Sequence, residues 1–187
     1  RKVFMATSLS PYLGAKQTLD QNTQLGLQNV QSFTPHLPLH LVEPEGQLQV
    51  HTAPYRGSFS RVLSEALRAA GLGRRVMVAQ FLKGGVSQGP ENGVKLCGRM
   101  TLLRPNLSRC LTEDISHYSC EEEKSEALQA VQQVWEVCKS QLLRRELDQL
   151  VLDEVGLAIS LGYLNENDLI QTLNQRPGSM DVILTGP

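Results

Sequence analysis

The sequence lacks every compact metal-binding spacing that cysteine and histidine could offer. Its four cysteines, Cys97, Cys110, Cys120 and Cys138, include no CxxC pair, and its four histidines form no HExxH pattern. A structural zinc site is therefore not expected. Four cysteines in 187 residues are also too few for a disulfide scaffold. They read as reduced thiols packed as small hydrophobes in a cytoplasmic protein. No apolar run approaches the roughly 20 residues that a membrane-spanning helix requires. Nor is there an excess of charge of one sign. The 18 Lys+Arg and 19 Asp+Glu leave a net charge of −1, which excludes a general nucleic-acid binder held by bulk positive charge. The chain begins at Arg1 with no charged-then-apolar leader pattern.

What is present changes along the chain. Residues 17–31 are rich in Gln, Asn and Thr, and the next stretch carries Pro35, Pro38 and Pro44. Proline at that density resists helix and favours extended chain. Residues 1–46 therefore read as an arm that lies over the domain or docks on a partner. From residue 47 onward, short apolar runs alternate with helical patterns. Strands are expected at 48–50, 76–81, 150–152 and 182–184, with another supplied by 94–103. Helices are expected at 58–70, 121–146 and 165–173. In the first helix Phe59, Val62, Leu63, Ala66, Leu67 and Ala70 fall on one face. Residues 84–93 hold four glycines and a proline and read as loop. Alternation of this kind implies an α/β fold, a mostly parallel sheet with helices on both faces.

The neutral total hides two opposed segments. Residues 47–110 carry 10 Lys+Arg and 2 Asp+Glu, whereas residues 111–187 carry 5 Lys+Arg and 14 Asp+Glu. Either the two segments pair within the fold, or the positive one faces an anion. In a parallel α/β sheet the first strand–turn–helix is the usual phosphate site. Here that place is filled by Thr52-Ala53-Pro54-Tyr55-Arg56-Gly57-Ser58-Phe59-Ser60. Much later, Val151-Leu152 runs into Asp153 and Glu154, an apolar strand ending in two carboxylates. That is how a metal-positioning strand of a nucleotide-binding protein reads.

With these residues in place the sequence resembles the P-loop ATP:corrinoid adenosyltransferases, over about residues 48–187. The resemblance rests on His51-Thr52 and on Ala69-Ala70-Gly71-Leu72-Gly73-Arg74-Arg75-Val76. It continues through Val78-Ala79-Gln80-Phe81-Leu82-Lys83-Gly84, Trp135 and Val151-Leu152-Asp153-Glu154. It ends with Leu173-Asn174-Gln175-Arg176-Pro177-Gly178 and Val182-Ile183-Leu184-Thr185-Gly186. It implies a P-loop NTPase-like fold and transfer of the 5′-deoxyadenosyl group of ATP to the cobalt of a reduced corrinoid, with release of triphosphate. ATP, Mg²⁺ and a corrinoid would be the ligands. Thr52, Arg56, Gly57, Ser58, Ser60, Gln80 and Lys83 would lie at the nucleotide, and Asp153 and Glu154 at the metal. Counting back from Trp135 puts His117 and Ser119 where the family packs aromatics on the corrinoid; His117-Tyr118 could stand in there, or His117 could be an ordinary surface histidine. The resemblance also implies a homodimer, with the arm reaching a neighbouring subunit or another protein. The family carries a further C-terminal segment beyond the place where Pro187 stands.

The phosphate loop departs from that pattern. The family has Gly-x-Gly-Lys-Gly-Lys-Thr-Thr where this chain has Ala53-Pro54-Tyr55-Arg56-Gly57-Ser58-Phe59-Ser60. Ser58 stands in place of the phosphate-binding lysine, and Phe59 in place of a metal-ligating hydroxyl that a phenyl ring cannot replace. Pro54 has no N–H to donate. Arg56 and Arg61 could compensate in charge, and Ser58 or Ser60 could ligate a metal from a reshaped loop. The expectation is instead a packed turn in which Tyr55 and Phe59 are buried. On that expectation the chain is a non-catalytic binding or scaffold protein, the alternative being an active adenosyltransferase.

Overall fold

The computed structural model of the chain describes residues 45–57, 59–85 and 89–187. Among the described residues ten regular elements follow one another: β1 (Leu48–Thr52), α1 (Ser60–Gly71), β2 (Val76–Gln80), β3 (Val94–Leu96), β4 (Met100–Leu103), α2 (Glu121–Arg144), β5 (Gln149–Asp153), α3 (Val155–Ser160), α4 (Glu166–Asn174) and β6 (Asp181–Gly186). Short 3₁₀ turns at Pro90–Asn92 and Ile115–His117 interrupt the connections. The arm expected over residues 1–46 falls, apart from Glu45 and Gly46, outside the described residues.

The six strands form one sheet in the order β1-β6-β5-β2-β4-β3. All neighbours pair in parallel except β3, which runs antiparallel to β4. Every residue of β2 and of β5 is buried, which is why both read as near-continuous apolar runs. Their side chains alternate between two cores, as a strand period of two demands. Val76, Val78, Val151 and Ile183 meet Val62, Ala66 and Ala70 of α1 on one face. Met77, Ala79, Leu150, Leu152 and Val182 meet α2, α3 and α4 on the other. Helices thus cover both faces, as expected for this class.

Helix α2 carries Val131, Trp135, Cys138 and Leu142 buried along one stripe. It starts with Glu121, Glu122 and Glu123 at the positive end of its dipole. Its last turn is closed by Arg145 in the left-handed conformation, with φ 56°.

The run 94–103, expected as one strand, is a hairpin. Cys97 and Gly98 both take positive φ (50° and 73°), and the chain reverses so that Leu96 pairs with Met100. Helix α3 was not expected at all. Its Gly156 breaks the apolar pattern because the helix packs against the backbone of β6: a Cβ on Gly186 would lie 3.1 Å from the Gly156 Cα. The cysteines also differ from expectation, since only Cys138 is buried while Cys97 and Cys110 are exposed.

The two charged segments pair with each other. Arg56–Glu154, Arg74–Asp181, Arg75–Asp148, Lys83–Asp153 and Arg109–Glu123 each join a cation of residues 47–110 to an acid of residues 111–187.

Candidate functional site

The parallel strands β1, β2, β5 and β6 end on the same edge of the sheet, and the candidate residues gather there. Gln80 closes β2, Asp153 closes β5, and Thr185 lies at the end of β6. Asp153 is 8% exposed, Glu154 2% and Gln80 3%, so their polar atoms must find partners within the fold. They do. One Asp153 oxygen, Oδ2, accepts from Gln80 Nε2 at 2.8 Å and from Lys83 Nζ at 3.3 Å. Its other oxygen, Oδ1, accepts the Thr185 hydroxyl at 3.0 Å. That hydroxyl in turn accepts the Glu154 backbone N–H at 2.7 Å, holding Glu154 at φ 56°.

Glu154 is engaged by a cation from the loop. Arg56 Nε donates to Oε1 at 2.9 Å, and Arg56 Nη2 donates to Oε2 at 3.2 Å. The same Nη2 lies 3.4 Å from the Leu82 carbonyl oxygen. This is the two-pronged guanidinium–carboxylate arrangement that a planar fork favours. Gly57, with φ 85°, provides the left-handed turn that directs the loop after Arg56 into α1. On the far side, Arg104 Nε donates to Gln80 Oε1 at 2.9 Å. Two buried carboxylates therefore sit among three cations: Arg56, Lys83 and Arg104.

The structure brings six of the candidate residues together: Arg56, Gly57, Gln80, Lys83, Asp153 and Glu154. Ser60 lines the same cavity from the first turn of α1, although it is exposed. Thr52 is exposed at the end of β1, opposite Gly186, and does not line the cavity. Ser58 lies outside the described residues. Tyr55, expected to be buried, is 69% exposed, whereas Phe59 is buried at 9% and joins Val62 and Ala66 in the core under α1. Arg61 is no compensating cation, because it pairs with Glu65 on the outer face of α1 at 2.9 Å. Two members of the network were missed. Arg104 follows a strand that reads as ordinary apolar sequence, and Thr185 looks like any strand threonine. Only the shared strand-end edge reveals their part.

His117 and Tyr118 lie elsewhere. They line a separate cavity of 380 Å³ together with Arg109, Cys110 and Glu123. His117 is exposed. One face of the Tyr118 ring is covered by the Arg109 guanidinium at 5.7 Å. The Tyr118 hydroxyl lies 3.0 Å from that of Tyr163, which donates to the Glu113 carbonyl at 2.9 Å. Burial, reinforced by this hydroxyl pair, raises the Tyr163 phenol above its ordinary range.

The nucleotide and its metal are a poor fit to the site. The cavity bounded by Gly57, Phe59, Gln80, Lys83, Asp153 and Glu154 measures 180 Å³, below the roughly 300–1,000 Å³ of ordinary small-molecule sites. A hard divalent cation needs open carboxylate oxygens and a loop hydroxyl. Both oxygens of each carboxylate are already engaged within the fold, although the Ser60 side of the cavity carries a loop hydroxyl.

A mostly parallel sheet, with a loop and helix following its first strand and an acid pair ending another, defines the P-loop class of α/β nucleotide-binding folds. Over residues 44–187 the chain matches the family described as ATP:corrinoid adenosyltransferase BtuR/CobO/CobP. The chain belongs to that family. It is 30% identical over 168 residues to the corrinoid adenosyltransferase CobA of Salmonella typhimurium, covering 89% of this chain and 81% of that protein. It is 27% identical over 167 residues to the corrinoid adenosyltransferase of Escherichia coli, with the same coverage. An uncharacterised Nostoc protein is 28% identical over 156 residues, which are 75% of this chain and 39% of that protein.

Proposed function

We propose that this chain is a corrinoid adenosyltransferase homologue without the standard Mg-ATP site, serving as a non-catalytic binding or scaffold protein. One observation carries the reading: the Arg56 guanidinium is forked onto both oxygens of Glu154, where a catalytic member would need a carboxylate free for metal. Losses at Pro54, Ser58 and Phe59 act in the same direction, each on a different part of phosphate or metal binding. Calorimetry with Mg-ATP, together with an assay for adenosylcobalamin from ATP and cob(I)alamin, tests the proposal. Heat of binding is expected to be absent at millimolar nucleotide, with no product formed. Saturable binding with turnover at an ordinary enzymatic rate (about 1 s⁻¹ or above) refutes it.

A second reading keeps the family activity, transfer of 5′-deoxyadenosyl from ATP to a reduced corrinoid. It is favoured by the gathering of Gln80, Lys83, Asp153 and Glu154 at one strand-end edge. On this reading Arg56 must swing away from Glu154 when nucleotide and Mg²⁺ arrive. Under either reading residues 47–187 form the family domain of a cytoplasmic protein. Residues 1–46 would form an arm that contacts a second copy of the chain or another protein. Deleting residues 33–44 is expected to change the oligomeric state or partner co-purification; no change in either overturns that role for the arm.

A further inference from the structure

The two ends of the sheet differ in charge. At the end where the parallel strands begin, the chain runs through residues 45–47, 68–75, 97–99, 144–148 and 175–181. Together these stretches hold seven arginines, no lysine and four acids. Two of the acids are already neutralised, Asp181 by Arg74 and Asp148 by Arg75. Arg68, Arg99, Arg144 and Arg145 are exposed and join no ion pair among the described residues. The opposite end, where the strands finish and the chain leads into α2, carries Glu113, Asp114, Glu121, Glu122, Glu123 and Glu126. A five-residue strand such as β5 separates the two ends by about 15 Å. That exceeds the roughly 8 Å over which exposed charges act at physiological ionic strength. A chain of net charge −1 therefore presents a positive end that acts on its surroundings by itself.

The turns at this end are tied into one row. Arg99 Nη1 donates to the Gly73 carbonyl at 3.0 Å, and the Val76 N–H to the Arg99 carbonyl at 2.9 Å. The Asp148 N–H donates to the Arg75 carbonyl at 2.9 Å, and the Asp181 N–H to the Asp148 carbonyl at 3.1 Å. Two leucines stand out from the row. Leu72, just after α1, is 76% exposed, and Leu143, in the last turn of α2, is 64% exposed. Helices α1 and α2 cover opposite faces of the sheet, so the sheet lies between the two leucines and they form no groove for a partner helix. Separate apolar anchors set among guanidinium groups suit a surface that yields around each of them.

We propose that this end docks on an anionic phospholipid membrane surface, with the four unpaired arginines on headgroup phosphates and Leu72 and Leu143 dipping below them. Guanidinium groups meet phosphate oxygens two at a time and are more weakly hydrated than an ammonium, which suits an end without lysine. Basic attraction and shallow apolar burial add together at such a surface. The contact is peripheral, since no helix among the described residues is long and apolar enough to cross a membrane. It is independent of whether the strand-end site takes a nucleotide, and it leaves that opposite end facing solvent.

The test uses the full chain and co-sedimentation with phosphatidylcholine vesicles, alone or containing about 30% phosphatidylserine. Binding is expected to the anionic vesicles only, and to weaken at least about tenfold between roughly 0.05 and 0.3 M salt. R144E/R145E should weaken it at least about tenfold, since each arginine near such a surface is worth roughly fivefold. L72S/L143S should weaken it at least about threefold and keep the salt dependence. R61E/K124E makes the same change of net charge elsewhere on the surface and should bind within about twofold of the parent. No binding to anionic vesicles at low salt overturns the proposal, as does unchanged binding in R144E/R145E or in L72S/L143S. Equal weakening by R61E/K124E also overturns it, because net charge alone would then drive association. If soluble polyglutamate binds this end while anionic vesicles do not, the surface serves an acidic protein and the membrane proposal falls. Circular dichroism checks the fold of each variant; should R144E/R145E not fold, R68E/R99E makes the same test.

Discussion

Replacing Gln80 by leucine cuts the network at its centre. The Gln80 amide donates to Asp153 at 2.8 Å and accepts from Arg104 at 2.9 Å, so it links an anion to a cation through one neutral group. A hydrogen bond to a charged partner is worth about 1.5–3 kcal/mol where solvent cannot replace it. At Asp153, 8% exposed, the full loss applies, although Lys83 and Thr185 remain. Arg104 is half-buried and can recruit water, so its share is roughly 0.5–1 kcal/mol. Leucine at this position recovers some apolar burial, about 1 kcal/mol. The expected net loss for Q80L is about 1–3 kcal/mol, roughly 2–10 °C in melting temperature for a domain of this size. Urea unfolding followed by the fluorescence of Trp135, the single tryptophan and 2% exposed, measures it. Q80E is the discriminating variant. It keeps the shape and gives Arg104 a salt bridge, but sets a second carboxylate against Asp153. The acid pair so formed takes up a proton on folding, so the deficit of Q80E is expected to shrink as pH falls from 7 toward 5, while that of Q80L stays flat. Equal, pH-independent losses in both variants, or no loss in Q80L, refute the placement of this amide between Asp153 and Arg104.

Three further outcomes are expected. Trp135→Phe removes the indole N–H donated to Asp168 at 2.6 Å and should destabilise by roughly 1–3 kcal/mol, read by circular dichroism in urea. Asp168 is held below the usual carboxylate range first by that bond and then by Lys139. Its contribution is therefore present above the ordinary aspartate range, near pH 4, and is lost as pH falls through the depressed value. The acid-side fall of stability should accordingly be shallower in Trp135→Phe than in the parent; an unchanged slope speaks against the bond. Gly84→Ala should lose about 2–3 kcal/mol, because a Cβ there would lie 2.6 Å from the Leu107 carbonyl oxygen and would press on the Arg109 backbone; a melt within one degree of the parent contradicts that close approach. With a colorimetric thiol reagent, Cys97 and Cys110 should react rapidly in the native protein. Cys138, whose thiol burial raises to about 12, should react only on unfolding, and rapid native modification of Cys138 would show that α2 opens.

The fold was legible wherever burial leaves a one-dimensional trace. β2 and β5, buried throughout, announce themselves as apolar runs, and α1 as a clean helical stripe. The elements that escaped are those whose pattern serves a neighbour. Gly156 makes room for the β6 backbone and thereby hides α3, while Cys97 and Gly98 conceal a reversal inside an apolar stretch. The site shows the same division. Asp153 and Glu154 stand out because carboxylates at the end of an apolar strand are conspicuous. The direction in which Arg56 would turn was not legible. Two arginines, Arg56 and Arg61, flank the start of α1 with similar claims on the site, and only the geometry of the turn at Gly57 separates them.

That separation bears on why the acid pair remains at all. As a purely structural pair, Asp153 and Glu154 would have no advantage over neutral or apolar residues, since a buried ion pair is no more stabilising than well-packed hydrophobes. Here each carboxylate has structural partners that a neutral residue could not serve equally well. Asp153 gathers β2, β6 and the loop after β2 through Gln80, Thr185 and Lys83. Glu154 ties the first loop to the end of β5 through Arg56. Removing one partner alone would leave its counterpart buried and uncompensated, a change costing about 3–5 kcal/mol for a fully buried pair and less here because the Arg56 side chain is 31% exposed. Loss of the acid would therefore have to be matched by loss of the base. The network protects its members from single substitutions, so carboxylates that fit a metal-binding role also persist as the electrostatic clasp between the loop and the sheet. Their presence alone is thus no evidence that the chemistry survives. What distinguishes the two roles is whether a cation of the chain or a metal from solution completes the pair.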